Sequence, residues 1–131
     1  MSRRRWPAPL LAAVLTLAAP GIALAHHGWE WTQDEESRLS GTIESVQLGN
    51  PHARLMVRNG QGVWEVDLAP PSSTRRAGFV DGVAAVGDPV SFTGHRSKDP
   101  AQRFFKAETV TVKGKTYDVY PNRDKSLKPA P

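Results

Sequence analysis

The chain has 131 residues, a mass of 14.3 kDa and no cysteine. This length fits one domain, and the missing thiols exclude disulfides, thiolate metal sites and a cysteine nucleophile. The formal net charge of +4 suggests a polyanionic partner, but three of the 17 basic residues lie at positions 3–5. Residues 26–131 hold the other 14 basic residues and all 13 acidic residues, a net charge of +1 that argues against a nucleic-acid partner.

Residues 1–25 have the three parts of a cleavable signal peptide. An arginine-rich start precedes an apolar stretch at 10–19, which is short for a membrane span, and Ala23-Leu24-Ala25 offers small side chains to a signal peptidase. We therefore expect export to the periplasm, with no membrane attachment after cleavage. An uncleaved anchor and twin-arginine export are the alternatives. Cleavage after Ala25 makes His26 the first residue, with a free α-amine beside its imidazole.

The rest of the chain alternates apolar and polar residues in short stretches separated by turn signals, which is typical of β-strands. An N-terminal segment, 26–37, comes first. The predicted strands follow at 38–48 (broken at Gly41), 53–58, 63–68, 90–95, 104–112 and 116–120. Between the third and fourth strands, Ser72 or Ser73 is expected to cap a short helix that runs to about Ala77 and stops at Gly78. Residues 121–131, rich in Lys and Pro, are expected to be a disordered tail.

Three strands, a short helical connection and two or three more strands form the order of an OB-like barrel. We therefore predict an all-β fold over residues 38–120, a small five- to six-stranded antiparallel OB-like barrel with one short helix. A small barrel or sandwich of another topology fits the pattern nearly as well. None of these folds decides the function by itself.

Histidines are the strongest candidates for chemistry, because the chain has no thiolate and no dense carboxylate cluster. An N-terminal His26 can chelate one ion through its α-amine and its own Nδ1. A second imidazole would complete a three-nitrogen site of the kind that Cu(II) favours. We predict His52 as that ligand, because it follows the Asn50-Pro51 turn signal and a rigid turn fixes the direction of the ring. His27 is expected to assist.

Other interpretations of the histidines stay open. His95 ranks last as a ligand, because the neighbouring Arg96 and Lys98 disfavour a cation. If Ala25 were retained, His27 would occupy the third position of the chain and form a square-planar Cu(II) or Ni(II) site. Without a metal, His52 would simply hydrogen-bond the backbone at a turn, and the N-terminal pair would be a flexible end.

Other patterns point less clearly to a function. Trp29 and Trp31 alternate after the histidine pair, which suits docking of the N-terminal segment on the barrel or a surface platform for a sugar or peptide. Glu65 and Asp67 alternate on one strand and are more typical of solvated carboxylates than of an acid–base pair. Ser72 has no triad partners nearby, and the chain has no phosphate loop or dinucleotide motif. These patterns indicate a protein that is not an enzyme.

Six motifs follow one another in a recognisable order. They are Ala25-His26-His27, Gly41-Thr42-Ile43, Asn50-Pro51-His52, Trp64-Glu65-Val66, Arg76-Ala77-Gly78-Phe79 and Gly87-Asp88-Pro89-Val90. Over most of residues 25–112 the chain resembles the exported bacterial domain of unknown function 6152 family. That family is uncharacterised, so the resemblance implies export and a small β fold. Its motif histidines correspond to His26, His27 and His52, while Gly49 stands where members usually carry an aromatic residue.

The leading functional hypothesis is a periplasmic, non-enzymatic β-barrel that binds copper through His26 and His52, with His27 assisting, and that buffers or delivers the metal. The alternative is a metal-free periplasmic module that binds a ligand or a partner protein through the barrel face and the two tryptophans. A copper-dependent oxidase is a third option, although the chain is small for a substrate surface. The sequence does not indicate an oligomeric state.

Overall fold

The computed structural model describes residues 28–129. The expected signal peptide and the predicted ligands His26 and His27 lie outside the described residues. The elements, in chain order, are β1 (Ser37–Gln47), β2 (Arg54–Asn59), β3 (Gly62–Asp67), α1 (Pro71–Arg76), β4 (Pro89–Arg96), β5 (Phe104–Val112) and β6 (Lys115–Asp118).

The strands close into a five-stranded barrel. The sheet has the order β3-β2-β1-β4-β5-β6, and an additional pairing of β3 with β5 joins its ends, leaving β6 as an extra strand beside β5. The closing pair is parallel, with Val66 opposite Phe105, and every other pairing between these strands is antiparallel. This arrangement confirms the predicted all-β, OB-like barrel and excludes the sandwich alternative.

The long strand β1 bends around the barrel because it pairs with β4 along its first half and with β2 along its second half. The predicted break at Gly41 is wrong, since β1 is continuous through this residue. Gly41 is needed for another reason. A Cβ atom there would lie 2.4 Å from the carbonyl oxygen of Arg58, so only glycine allows the two strands to approach this closely.

Inward-facing side chains at alternate strand positions form the core. On β2 and β3, for example, Leu55, Val57 and Val66 are fully buried. Phe92 and Phe105 from β4 and β5 meet at 6.3 Å between ring centroids. Because the neighbours of these residues must point outward, the strand pattern also determines which polar side chains share the outer surface.

The helix α1 begins without the expected serine cap. Its N-cap is Pro70, and no side chain donates or accepts a capping bond, so the prediction that Ser72 or Ser73 caps the helix is wrong. Proline is tolerated here because the first helical residues have no intrahelical acceptor for an N–H group. The predicted end is confirmed, because Gly78 adopts φ +94° directly after the C-cap Ala77 and donates to Arg75 O.

Residues 28–36 and 121–129, called the chain ends because they are the terminal segments of the described part, cover one side of the barrel. Gln33 N donates to Arg96 O at 2.8 Å, which attaches the N-terminal segment to β4. The amides of Ser126 and Leu127 donate to the Glu36 carboxylate at 2.9 and 2.6 Å. Residues 121–129, expected as a disordered tail, therefore contact the N-terminal segment. Across residues 28–129 there is no helical segment with the length and hydropathy of a membrane span.

The close approach of β4 and β5 predicts a strong effect of Gly94→Ala. The added Cβ would lie 2.0 Å from Lys106 O, at the register shift between the two strands, and the backbone would have to move. We expect the free energy of unfolding in urea to fall by about 2–3 kcal/mol, as for overpacked interiors. Gly49→Ala is the matched control, because its Cβ meets no atom within 4 Å. Equal denaturation midpoints for the two variants would contradict this account.

Candidate functional site

Four titratable residues lie side by side on the outer surface of the barrel, one on each of four neighbouring strands. We call them the polar row, and they are consecutive cross-strand partners: Arg54 of β2, Asp67 of β3, Lys106 of β5 and His95 of β4. Neighbouring strands are about 4.8 Å apart, so the row spans about 15 Å. All but Arg54 are buried, because the chain ends lie over them.

At the β2 end of the row, Arg54 pairs with both carboxylates of β3. Its guanidinium contacts Asp67 Oδ1 at 2.7 Å and Glu65 Oε1 at 3.1 Å. Burial alone would lower the pKa of Arg54, but the hydrogen bond and charge of Asp67, helped by Glu65, raise it. Since Arg54 engages both carboxylates, the pair suggested by the sequence is not arranged as a free acid and base.

The ammonium group of Lys106 attaches the N-terminal segment to the barrel. Its Nζ donates to Gly28 O at 2.6 Å and lies 4.5 Å from the ring centroid of Trp29. Burial lowers the pKa of Lys106 to about 8; the charge of Asp67 opposes this change and that of Arg123 adds to it. Gly28 directly follows the histidine pair in the chain, so this bond determines where that pair is joined to the fold.

Trp29 packs among polar and aromatic side chains above the row. The guanidinium of Arg123 lies 3.6 Å from its ring centroid, and Tyr120 and His95 contact it edge-on at 4.9 and 5.5 Å between centroids. Burial in this cluster raises the pKa of Tyr120 to about 12. Trp29 thus serves to dock the N-terminal segment, one of the two roles that the sequence suggested for it.

At the β4 end of the row, the His95 ring lies between a carbonyl and a carboxylate. Its Nδ1 is 2.8 Å from Gln33 O, and its Nε2 is 2.6 Å from Glu108 Oε1. The Glu108 side chain is 1% exposed. Among the described residues, its Oε2 has no hydrogen-bond partner, and Arg123 Nε lies 3.8 Å from it.

Glu36 lies on the solvent side of this pair. Ligand atoms of Glu36, His95 and Glu108 lie within 4.8 Å of one another. Burial alone would raise the pKa of Glu36, but hydrogen bonds from Leu127 and Ser126, together with His95, lower it. A surface hollow of about 390 Å³ opens here, and it is lined by Asp34, Glu36, His95, Arg123, Asp124, Lys125 and Ser126.

His52 precedes β2, the strand that carries Arg54 of the polar row. It follows the cis Asn50–Pro51 peptide bond and is half-buried. The next residue, Ala53, is fully buried and bonds to Leu68 and Ala69, continuing the ladder with β3. Lys106, which donates to Gly28 O, lies on β5. This strand is two strands away from β2, or about 10 Å.

The sequence did not reveal Lys106 and Glu108 as site residues. They alternate with the inward-facing Phe105 and Ala107, and charged residues in such positions are usually solvated. The only signal was the tryptophan pair in the N-terminal segment, which indicated that this segment docks on the barrel. Burial of the two charges depends on how the chain ends pack, and strand periodicity does not contain that information.

The surroundings of His95 differ from those that the sequence suggested. Arg96 points elsewhere and lies over Trp64, 4.8 Å from its ring centroid. Lys98 is exposed and attaches to the N-terminal segment through its backbone amide, which donates to Trp31 O. The His95 ring therefore contacts a carboxylate and a carbonyl, not the two adjacent cations.

Solved structures that are similar to part of this chain include two of TiaS. A complex of TiaS with a tRNA and ATP matches 60% of this chain and 18% of that chain, with 16% identity and a TM-score of 0.46. The ZRD-deleted mutant of TiaS in complex with agmatine matches 72% of this chain and 24% of that chain, with 15% identity and a TM-score of 0.46. The chain thus spans about a quarter or less of their length, and similarity of this degree says nothing about what it binds.

Sequence comparison places the chain in a family. No curated protein matches it. The model described as "Family of unknown function (DUF6152)" matches residues 13–106, which is well over half of the chain and includes both histidine motifs. The resemblance found in the sequence motifs is therefore confirmed: the chain belongs to the family of unknown function DUF6152.

Proposed function

We propose that this protein is exported to the periplasm, where it binds copper through His26 and His52, with His27 assisting, and buffers or delivers the metal without catalysing a reaction. The observation that supports the proposal best is the bond from Lys106 to Gly28 O, at 2.6 Å. It attaches the residue after the histidine pair to β5, which is two strands around the barrel from β2, the strand that His52 precedes.

The chain that precedes Gly28 is long enough for the imidazoles of His26 and His52 to bind the same ion. Two residues of chain extend at most about 7 Å, and imidazole side chains on both sides add several ångströms. The strand that holds Gly28 is about 10 Å from the strand that His52 precedes. An α-amine, the His26 Nδ1 and one further imidazole are nitrogen donors of the kind that Cu(II) prefers.

The metal-free alternative receives less support from the geometry. It requires exposed aromatic faces on Trp29 and Trp31. Arg123 and Lys106 lie over the Trp29 ring, and Tyr120 and His95 contact it edge-on. A ligand that stacked on Trp29 would have to displace these contacts.

Export makes a direct prediction about the first residue of the mature protein. We expect N-terminal sequencing of protein from a periplasmic fraction to begin with His26, because signal peptidase requires small residues at the first and third positions before the cut, where Ala25 and Ala23 stand. Metal content is measured on the same sample and should include copper. Recovery of a chain that still carries residues 1–25, or of a chain that begins at Ala25, would contradict this proposal.

Copper affinity should depend on both histidines. For the chain that begins at His26, we expect titration calorimetry to give one tight Cu(II) equivalent. His26→Ala and His52→Ala should each weaken it at least about tenfold, a loss of about 1.4 kcal/mol. His27→Ala should weaken it less. Equal weak binding by the parent and by His26→Ala would refute the proposed site.

A second form of the chain tests the role of the α-amine. Adding Gly-Ser-Gly before His26 keeps all the imidazoles but moves the amine three residues away. One or two added residues would be unsuitable, because a histidine at the third position creates a different square-planar site. We expect the extended form to bind Cu(II) as weakly as His26→Ala, and undiminished binding would exclude chelation by the amine.

The hydrogen bond from Lys106 to Gly28 O should also influence copper affinity. Lys106→Met keeps an apolar stem of similar length but loses the bond to Gly28 O. We expect about tenfold weaker Cu(II) binding at unchanged stoichiometry, as for loss of a group that orients metal ligands. Lys98→Met, at an exposed lysine, is the control. Identical Cu(II) affinities for the two variants would show that the bond from Lys106 to Gly28 O does not position the copper ligands.

A further inference from the structure

We propose a second metal site, separate from the N-terminal histidines, in which Glu36, His95 and Glu108 bind a divalent first-row transition ion such as Zn²⁺. The three residues come from the N-terminal segment, β4 and β5. Their ligand atoms lie within 4.8 Å of one another beside the surface hollow described above. The inference does not depend on copper binding by His26.

The hydrogen bonds of His95 determine which of its nitrogens a cation would bind. Gln33 O can only accept, so the Nδ1 atom of His95, 2.8 Å away, must carry the hydrogen. In the neutral ring, Nε2 then presents a lone pair to Glu108 Oε1 at 2.6 Å. Two acceptors at this distance require a proton or a metal ion between or beside them. An Nδ1–H bonded to a backbone carbonyl is also the usual arrangement of a metal-binding histidine.

Glu108 supplies an independent observation. Its side chain is 1% exposed, and within residues 28–129 its Oε2 has no hydrogen-bond partner. Arg123 Nε, at 3.8 Å, is beyond hydrogen-bond distance and is itself buried without a hydrogen-bond partner in this part of the chain. A buried carboxylate oxygen without a partner is costly, and coordination of a cation would satisfy it.

Glu36 completes the group at the entrance of the hollow. Its Oε2 accepts from Ser126 and Leu127, which hold the carboxylate in place. Metal–ligand bonds of about 2.1 Å place ligand atoms about 3.5 Å from one another. The widest separation in the group must therefore shorten by about 1 Å, and the 2.6 Å contact between His95 Nε2 and Glu108 Oε1 must widen by about 1 Å. The hollow gives an ion a route from solvent and leaves room for a water ligand.

The donor set favours one class of ion. One imidazole and two carboxylates suit Zn²⁺ and its neighbours, such as Co²⁺. Ca²⁺ needs six to eight oxygen ligands, which three side chains do not supply. Cu(I) prefers thiolate or thioether ligands, and the group contains neither.

The test uses the chain that begins at His26 with His26, His27 and His52 all replaced by alanine, so that the copper site proposed above is removed. In this background we expect calorimetry to give one Zn²⁺ equivalent, and Co²⁺ to give a visible absorption band on binding. Glu36→Gln and Glu108→Gln should each weaken Zn²⁺ binding at least about tenfold, a loss of about 1.4 kcal/mol. Glu35→Gln, which removes one exposed charge next to Glu36, is the control and should bind like the background.

Glu36 is the most informative position, because it is only half-buried and its replacement leaves the core intact. Circular dichroism establishes that each variant is folded. No Zn²⁺ binding in the alanine background would overturn this site, and if the parent still bound copper the N-terminal site would stand. Zn²⁺ binding that Glu36→Gln and Glu108→Gln leave unchanged would place the ion elsewhere and would also overturn it.

Discussion

Lys106 places a buried ammonium group on the outer surface of β5, and both chain ends are arranged around it. The side chain is 2% exposed, although it points away from the core. Gly28 O accepts its hydrogen bond, and the Trp29 ring lies above it. This hydrogen bond and the contact with the aromatic face offset part of the cost of burying the charge. The barrel closes through its strand pairings, but the outer surface of β5 is completed only by segments outside the barrel.

The same packing explains why titratable groups collect on one side of the molecule. On a solvent-facing β-strand, the outward-pointing charged side chains are hydrated and need no partner within the protein. Here β5 carries Lys106 and Glu108 outward beneath the chain ends, so each charge needs a partner from another element. His95 meets Glu108, and Arg123 from the C-terminal segment approaches both Glu108 and Trp29. Burial thus converts an ordinary strand surface into one where every charge depends on a specific neighbour.

The sequence predicted the barrel well, because strand periodicity and turn residues are local signals. Every predicted strand is present to within two residues at each end. The two errors, at Gly41 and at the helix cap, have causes outside the local sequence. Gly41 is required by the close approach of Arg58 on another strand. The polar row escaped prediction for a similar reason: His95 and Lys106 become neighbours only through pairing of β4 with β5. The assignment of His26 and His27 as copper ligands rests on the sequence alone.

The N-terminal segment connects the two proposed metal sites. Lys106 holds Gly28 at its beginning, the Gln33 carbonyl fixes Nδ1 of His95, and Glu36 stands at its end. An ion bound at either site would reduce the freedom of this one segment, and the second ion would then bind to a segment already ordered. Such coupling is reciprocal, because each ligand changes the affinity for the other by the same factor. The sites are therefore separate in their ligands but share the segment that positions them.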